Sequence, residues 1–235
     1  MKLSIIIPTY NESLHISKNL EKFIKILDTV KVDYEIIVVE DGSQDNTYEE
    51  ILKYKHKRIK AVGYDHNQGK GYAIQYGFNF VKGDIVAFID ADFDLYPGQI
   101  KNFIESIKDY DIVIGSKMHP LSKVDYPLKR KIISLGYQFF IKILFNLDIK
   151  DTQVGLKLFR YEVMKNILQK VSVKGYAFDL ELIINAQEIG YRIIELPIEL
   201  NYQCSSNINL KSIIQVFLDT LRIFYRLKIL KYYER

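Results

Sequence analysis

The chain has 235 residues, room for one large domain or one and a half small ones, and with 48% of them hydrophobic and 26% charged it is too apolar for a disordered chain. A single cysteine, Cys204, excludes an internal disulfide framework and a cysteine zinc site, and fits a reducing compartment. The net charge of +4 says little, but the basic residues gather in 123–142 and 211–235, both rich in large apolar side chains, which suits an anionic membrane surface better than nucleic acid.

Elements follow in chain order. Leu3–Pro8 reads as a short buried strand closed by proline. Ser13–Leu27 carries Leu20, Phe23, Ile24 and Leu27 at helical spacing. Tyr34–Val39 is a second buried strand running into Glu40-Asp41-Gly42-Ser43, and Asp45–Tyr54 a helix. Ile59–Gly63 is a strand, Lys70–Phe80 a helix entered through a glycine loop, and Ile85–Ile89 a fourth strand followed by Asp90-Ala91-Asp92-Phe93-Asp94. Pro97 suits a first helical turn. Ile112–Ile114 is a fifth strand, Leu128–Leu147 a long apolar-basic helix, 152–160 a loop and strand, and Phe178–Glu188 a helix. Arg192–Leu200 is extended with Pro197 as an interruption, and Leu210–Lys231 is a terminal helix.

Alternating strands and helices predict an α/β fold with a mostly parallel sheet covered on both faces. Ligands of such sheets bind beyond the carboxyl ends of the strands. That rule gathers 8–12, 40–43 and 90–94 on one rim. Alternate residues of an extended segment point the same way, so Asp90 and Asp92 can share one site and hold Mg²⁺ or Mn²⁺ together with substrate phosphates. A bare Asp-x-Asp also suits a solvated turn. Glu40-Asp41-Gly42-Ser43 can hold a base or ribose, or be an ordinary strand-to-helix turn. Asn67-Gln68-Gly69-Lys70-Gly71 offers glycine backbone and a lysine to a phosphate, but lacks the P-loop spacing and serves equally as a helix start.

Taken together and in order, Ile7-Pro8-Thr9-Tyr10-Asn11-Glu12, Val38-Val39-Glu40-Asp41-Gly42-Ser43, Asn67-Gln68-Gly69-Lys70-Gly71 and Asp90-Ala91-Asp92 resemble family 2 glycosyltransferases of the GT-A fold. Asp151-Thr152-Gln153-Val154-Gly155-Leu156-Lys157-Leu158-Phe159 and Gly175-Tyr176-Ala177-Phe178-Asp179-Leu180-Glu181 resemble the dolichyl-phosphate glucosyltransferases, and somewhat less closely the dolichol-phosphate mannose synthases. The resemblance weakens after Tyr202. It implies a GT-A domain over 1–202, with a nucleotide-sugar half at 1–115 and an acceptor half at 116–202, and a C-terminal amphipathic helix within 203–235.

The resemblance also implies roles. Tyr10 stacks on the nucleobase in a pocket shaped by Pro8, Thr9 and Glu12, and Asp41 bonds the base, with Gly42 and Ser43 beside it. Asn67, Gly69 and Lys70 lie near ribose and diphosphate. Asp90, Ala91 and Asp92 face the sugar-diphosphate, with Asp90 and Asp92 as metal ligands. Asp94 is a third ligand where the mannose synthases often carry glutamine. Lys117 stands for a frequent arginine, and with Arg130 and Ser134, one helical turn apart, contacts the acceptor phosphate. Ser205-Ser206-Asn207 replaces the usual Gly-Ser-Lys and loses a charge. Asp92 and Arg130 are the residues expected to carry catalysis.

A polyprenyl phosphate is already an anion, so no general base is expected. Cation-assisted departure of the diphosphate and direct attack with inversion would suffice. The expected reaction moves a hexose, glucose from UDP-glucose foremost, to a polyprenyl or dolichyl phosphate. GDP-mannose is the alternative donor. Transfer to a sugar hydroxyl, with Asp179 or Glu181 as base, is a second alternative, and a non-catalytic nucleotide-sugar module a remote one. No run of about 18 apolar residues and no signal peptide is read, so the expectation is a cytoplasmic protein, peripheral on the cytoplasmic membrane face. Lipid, the sheet itself, a second subunit or a membrane-protein partner would cover the apolar faces of 129–147 and 210–231. No nucleic acid is expected.

Overall fold

The structure is a computed structural model that describes residues 1–92, 95, 97–125, 128–201 and 210–234, with only the backbone at 97, 125, 128–130, 201, 210–212 and 234. Asp94 and 205–207 therefore lie outside the described residues, as do the side chains of Arg130 and Lys211.

Four strands are parallel neighbours: β1 (Lys2–Thr9) lies between β2 (Asp33–Asp41) and β4 (Ile85–Ile89), and β3 (Ile59–Tyr64) flanks β2. Runs such as Ile5-Ile6-Ile7 and Ile36-Ile37-Val38-Val39 are apolar on both sides of the pleat because both faces are covered, the expected signature of parallel strands. The sheet continues as β4, β7 (Leu156–Arg160), β5 (Ile112–Ser116) and β8 (Ile193–Pro197). β7 runs antiparallel to both of its neighbours, while β5 and β8 are parallel. The mostly parallel sheet expected from the sequence is present. The antiparallel insertion of β7, from the second half of the chain, between two strands of the first half was not readable from the alternation, and it makes the two halves share one sheet. A small second sheet pairs β6 (Lys123–Asp125) with β9 (Glu199–Asn201).

The helices divide between the faces. α1 (Ile16–Leu27), α2 (Thr47–Lys53) and α4 (Ile100–Ser106) pack with Leu3, Ile5, Ile7, Val38 and Ile89. α3 (Lys70–Phe78), α5 (Leu128–Phe145), α6 (Tyr161–Leu168), α7 (Phe178–Ile189) and α8 (Leu210–Lys228) pack with Ile6, Val39, Phe88 and Phe159. Pro97 opens a short 3₁₀ turn before α4, where a residue lacking an N–H costs least. α6 was not anticipated. α7 is buried over its first nine residues, Phe178–Ala186, so it shows little helical periodicity and works as a core helix. α8 stops at Lys228, three residues earlier than its apolar spacing suggested, and a 3₁₀ turn over Tyr232–Glu234 follows.

A cleft at the carboxyl ends of the strands

The carboxyl ends of β1, β2 and β4 converge on a cleft of about 490 Å³, lined by Pro8, Thr9, Tyr10, Glu12, Asp41, Asn67, Gly69, Lys70, Asp90, Ala91, Asp92, Gln153, Gly175, Tyr176 and Asp179. Tyr10 is 42% exposed at its mouth, which leaves a ring face open for stacking. Thr9 is buried and donates from Oγ1 to the Val39 carbonyl at 2.9 Å, stitching the two strand ends together. Asn11, at φ 55°, takes the left-handed turn that asparagine tolerates. Its N–H donates to Ser43 Oγ and its Oδ1 accepts from Gln44 N–H.

Asp41 folds the loop after β3. Its carboxylate accepts from Tyr64 Oη at 2.8 Å, Asn67 Nδ2 at 3.1 Å, Gln68 N at 2.7 Å and Gly69 N at 3.0 Å. Burial, then the Asp41 charge and bond, push the Tyr64 phenol well up from its ordinary value. Gly42 and Ser43 do not line the cleft. They border a separate hollow of about 350 Å³ with Glu40, Tyr48, Gly63, Tyr64 and Asp65. Ser43 turns its hydroxyl to Asn11 and its N–H to Glu40 Oε1, so both groups act in joining loops. Gly42 sits at φ 61° with the backbone of His66 and Asn67 where a side chain would be, which only glycine allows.

The floor is a cluster of four charges. Lys70 Nζ lies 2.7 Å from Asp90 Oδ1 and 3.3 Å from Asp179 Oδ2. Lys157, fully buried on β7, donates to Asp179 Oδ1 at 2.6 Å and to the Val154 carbonyl at 2.5 Å. Burial works to raise Asp179, but the two ammonium groups outweigh it and hold that carboxyl below its usual range. Burial works to lower Lys70, and Asp179 and Asp90 outweigh it. Lys157 has one carboxylate beside it, and there burial wins and brings its ammonium down. Two cations against two carboxylates leave the cluster neutral, as buried charge requires.

Asp90 and Asp92 both line the cleft, but Ala91 and Asp92 lie in a turn and not in the extended segment the alternation assumed; Ala91 is buried and its carbonyl accepts from Asn19 Nδ2 at 3.0 Å. Gly155 passes so close to Asp90 that any side chain there would overlap its carboxylate, so the sequence keeps that space clear. The donor set fits Mg²⁺ or Mn²⁺, hard ions that take one or two protein carboxylates and complete their shell with phosphates and water. Among the described residues no three His, Cys, Asp or Glu side chains gather as a closed cage.

Lys117 and Ser134 are not in the cleft lining. Lys117 is tied to buried Asp151 through its N–H at 2.9 Å and its Nζ at 3.5 Å. Ser134, on α5, accepts from Gln138 Nε2 at 3.4 Å. Glu181 is buried outside the cleft and accepts from Ser172 N, Val173 N and Tyr233 Oη. Asp179, named in the sequence only as an alternative base, is at the centre of the floor. Lys157 was not singled out, although a lysine inside the apolar run 154–159 was the available signal.

The sequence model of glycosyl transferase family 2 matches residues 4–168, more than half of the chain. A dolichyl-phosphate beta-glucosyltransferase of Trichomonas vaginalis is 35% identical over 245 aligned residues, covering 97% of this chain and 75% of that protein. One from Dictyostelium discoideum is 32% identical, covering 95% and 74%. Glucosyl-3-phosphoglycerate synthase from Mycobacterium tuberculosis, solved with Mn²⁺, uridine diphosphate and phosphoglyceric acid, has the same fold at a TM-score of 0.74 and 18% identity, over 95% of this chain and 77% of that one. Mannosyl-3-phosphoglycerate synthase from Rubrobacter xylanophilus gives 0.70 at 17% identity, over 98% and 75%. With the ordered loops at the strand ends, the aspartate pair and the parallel sheet that holds them, the chain belongs to glycosyltransferase family 2 and has the GT-A fold.

Proposed function

We propose that the protein transfers glucose from UDP-glucose to a dolichyl or other polyprenyl phosphate, with inversion at the anomeric carbon. The observation that carries this reading is the similarity to dolichyl-phosphate beta-glucosyltransferases over nearly the whole chain, including the β7 and α7 segments that complete the cleft floor.

In this reading residues 1–115 hold the donor. Tyr10 stacks on the base, Pro8, Thr9 and Glu12 border it, and Asp41 keeps Asn67 and Gly69 in place beside ribose and diphosphate. Lys70 faces the diphosphate while Asp179 keeps it charged and aimed. Asp90 and Asp92, with Asp94, are the residues that would hold a divalent ion, which when bound stabilises charge on the departing diphosphate. Residues 116–202 serve the acceptor, whose phosphate Lys117, Arg130 and Ser134 would meet. Lys117 must leave Asp151 in part to do so.

A phosphate acceptor needs no base, and the cleft favours one. Asp179 is held ionised between two lysines and has little affinity for a proton at neutral pH, while Glu181 faces away. The two bases that a hydroxyl acceptor would require are thus poorly suited to the role.

The acceptor also implies a lipid surface, proposed here as the cytoplasmic membrane face with the protein peripheral on it. Among the described residues no helix is long and apolar enough to cross a membrane. α5 and α8 pack as one platform through stacked Phe140 and Phe217 rings, 4.5 Å apart, and a Tyr137–Thr220 hydroxyl contact of 2.8 Å. That platform exposes Ile132, Phe139 and Ile143 on α5 and Ile214, Leu221 and Tyr225 on α8. Lys131, Lys142, Arg222 and Lys228 border them, a pattern suited to an anionic interface.

The test is product analysis. Incubation with UDP-glucose and dolichyl phosphate in detergent, followed by proton and phosphorus NMR of the lipid fraction, should give a β-linked glucosyl group on a phosphodiester oxygen. Glucose found on a hydroxyl, or α-linked, would reject the reading.

A further inference from the structure

Glu181 is a carboxylate with no solvent access and no place in the cleft, yet it ties the loop beside the cleft to the C-terminal segment. On one side its Oε2 accepts from Ser172 N at 3.0 Å and Val173 N at 2.7 Å, which fixes the loop before α7. The next residue, Lys174, uses its carbonyl to accept from Gly71 N at 2.8 Å and Tyr72 N at 3.3 Å. Those are orphan donors of the first turn of α3, which begins at Lys70. The approach is tight: a side chain at Gly69 or Gly71 would meet the Lys174 carbonyl at 2.8 Å. Gly175 and Tyr176, which follow, form part of the cleft wall.

On the other side Glu181 is held by the C-terminal segment. Tyr233 Oη donates to its Oε1 at 2.6 Å, and the Arg226 guanidinium lies 2.9 Å from the same oxygen. Lys170 Nζ donates to the Tyr233 carbonyl at 2.7 Å, closing a ring between the two segments. Tyr233 is itself buried, so the contact is part of the packed core. Asp179 and Glu181 are two residues apart on one helical turn, about 200° around the axis, so one faces Lys70 while the other faces the C-terminal segment. Any tilt of this turn that follows loss of the C-terminal ties moves the Asp179 carboxylate and the Lys174 carbonyl together.

We propose that Arg226 and Tyr233 are positioning residues for the donor site, acting through Glu181 and the 172–176 loop to hold Lys70 and the cleft wall in their nucleotide-binding arrangement. This rests on the donor reading of the cleft given above. It assigns the C-terminal segment a part in donor binding that its distance in sequence from the motifs does not suggest.

The experiment compares wild type, Tyr233→Phe, Arg226→Met, Arg226→Lys and Ile104→Ala. Ile104 is buried on α4, on the opposite face of the sheet, and serves as a control for general loss of stability. Calorimetry measures the Kd for UDP with Mn²⁺, and amide hydrogen exchange follows Gly71 and Tyr72. The expected result is a Kd raised about 3-fold by Tyr233→Phe and about 10-fold or more by Arg226→Met, partial recovery in Arg226→Lys, and faster exchange at both amides. Ile104→Ala should lower Tm while leaving Kd and those amides unchanged. The proposal is overturned if the Tyr233 and Arg226 variants fold and keep the wild-type Kd and exchange, or if Ile104→Ala moves both readouts equally. Failure of the wild type to bind UDP would remove the donor reading instead, and the exchange rates would still decide whether the coupling exists.

Discussion

Lys157→Met isolates the buried charge cluster. Lys157 is fully buried and 2.6 Å from Asp179, itself 2% exposed, so the substitution keeps most of the volume and removes one partner of a buried pair. Breaking such a pair costs about 3–5 kcal/mol, because the remaining charge stays buried. Here Lys70 remains 3.3 Å from Asp179, so the low end applies, about 3 kcal/mol. For a chain of this size that lowers Tm by roughly 6–12 °C. Urea denaturation with and without the substitution reads the difference directly. The double variant Lys157→Met with Asp179→Leu removes both charges, and should recover most of the stability while losing transfer activity. A single variant that loses under about 1 kcal/mol would refute the argument, as would a double variant that is less stable still.

Three further outcomes follow from the site. Asp92→Asn should lower turnover by on the order of 100-fold or more, and chelation of divalent ions should do the same to the wild type. Full activity in either case removes the carboxylate pair from the metal role. Arg130→Ala should raise the KM for the lipid phosphate far more than that for the nucleotide-sugar, and equal effects on both would return that arginine to a general surface role. Tyr137 is pushed up to about 12, mainly by burial, against an ordinary 10. A raised value stabilises the fold fully below pH ~10, and the contribution drains as pH rises through ~12, so Tyr137→Phe should flatten the loss of stability over that window.

Much of this site was legible because its chemistry lies at strand ends. The runs Leu3–Pro8, Tyr34–Val39 and Ile85–Ile89 fixed three parallel strands, and the polar clusters after them had to meet on one rim. Pro8, Tyr10, Asp41, Asn67, Lys70, Asp90 and Asp92 do line one cleft. Less legible was what those residues do to one another. Asp41 reads in sequence as a ligand contact, yet its carboxylate is taken up by the 67–69 loop, because backbone donors of a tight loop leave no trace in residue identity. Gly42 and Ser43 border a neighbouring hollow, and their part in joining loops is likewise invisible in residue identity. β7 and α7 are legible as elements, a strand within 152–160 and a helix at 178–188, but not their placement: burial on all sides leaves no local pattern to show that Lys157 and Asp179 meet Lys70 in one charge cluster. The C-terminal ties to Glu181 are a product of packing between residues 45 and 52 positions apart, which no local pattern records.

The most direct test of the account is sugar transfer to a short polyprenyl phosphate in detergent, with radiolabelled UDP-glucose and GDP-mannose side by side, with and without Mn²⁺ or Mg²⁺. Metal-dependent labelling of the lipid from UDP-glucose, and little from GDP-mannose, is expected. Labelling from GDP-mannose alone would reassign the donor, and no labelling of the lipid by a well-folded protein that binds UDP would contradict the phosphate acceptor.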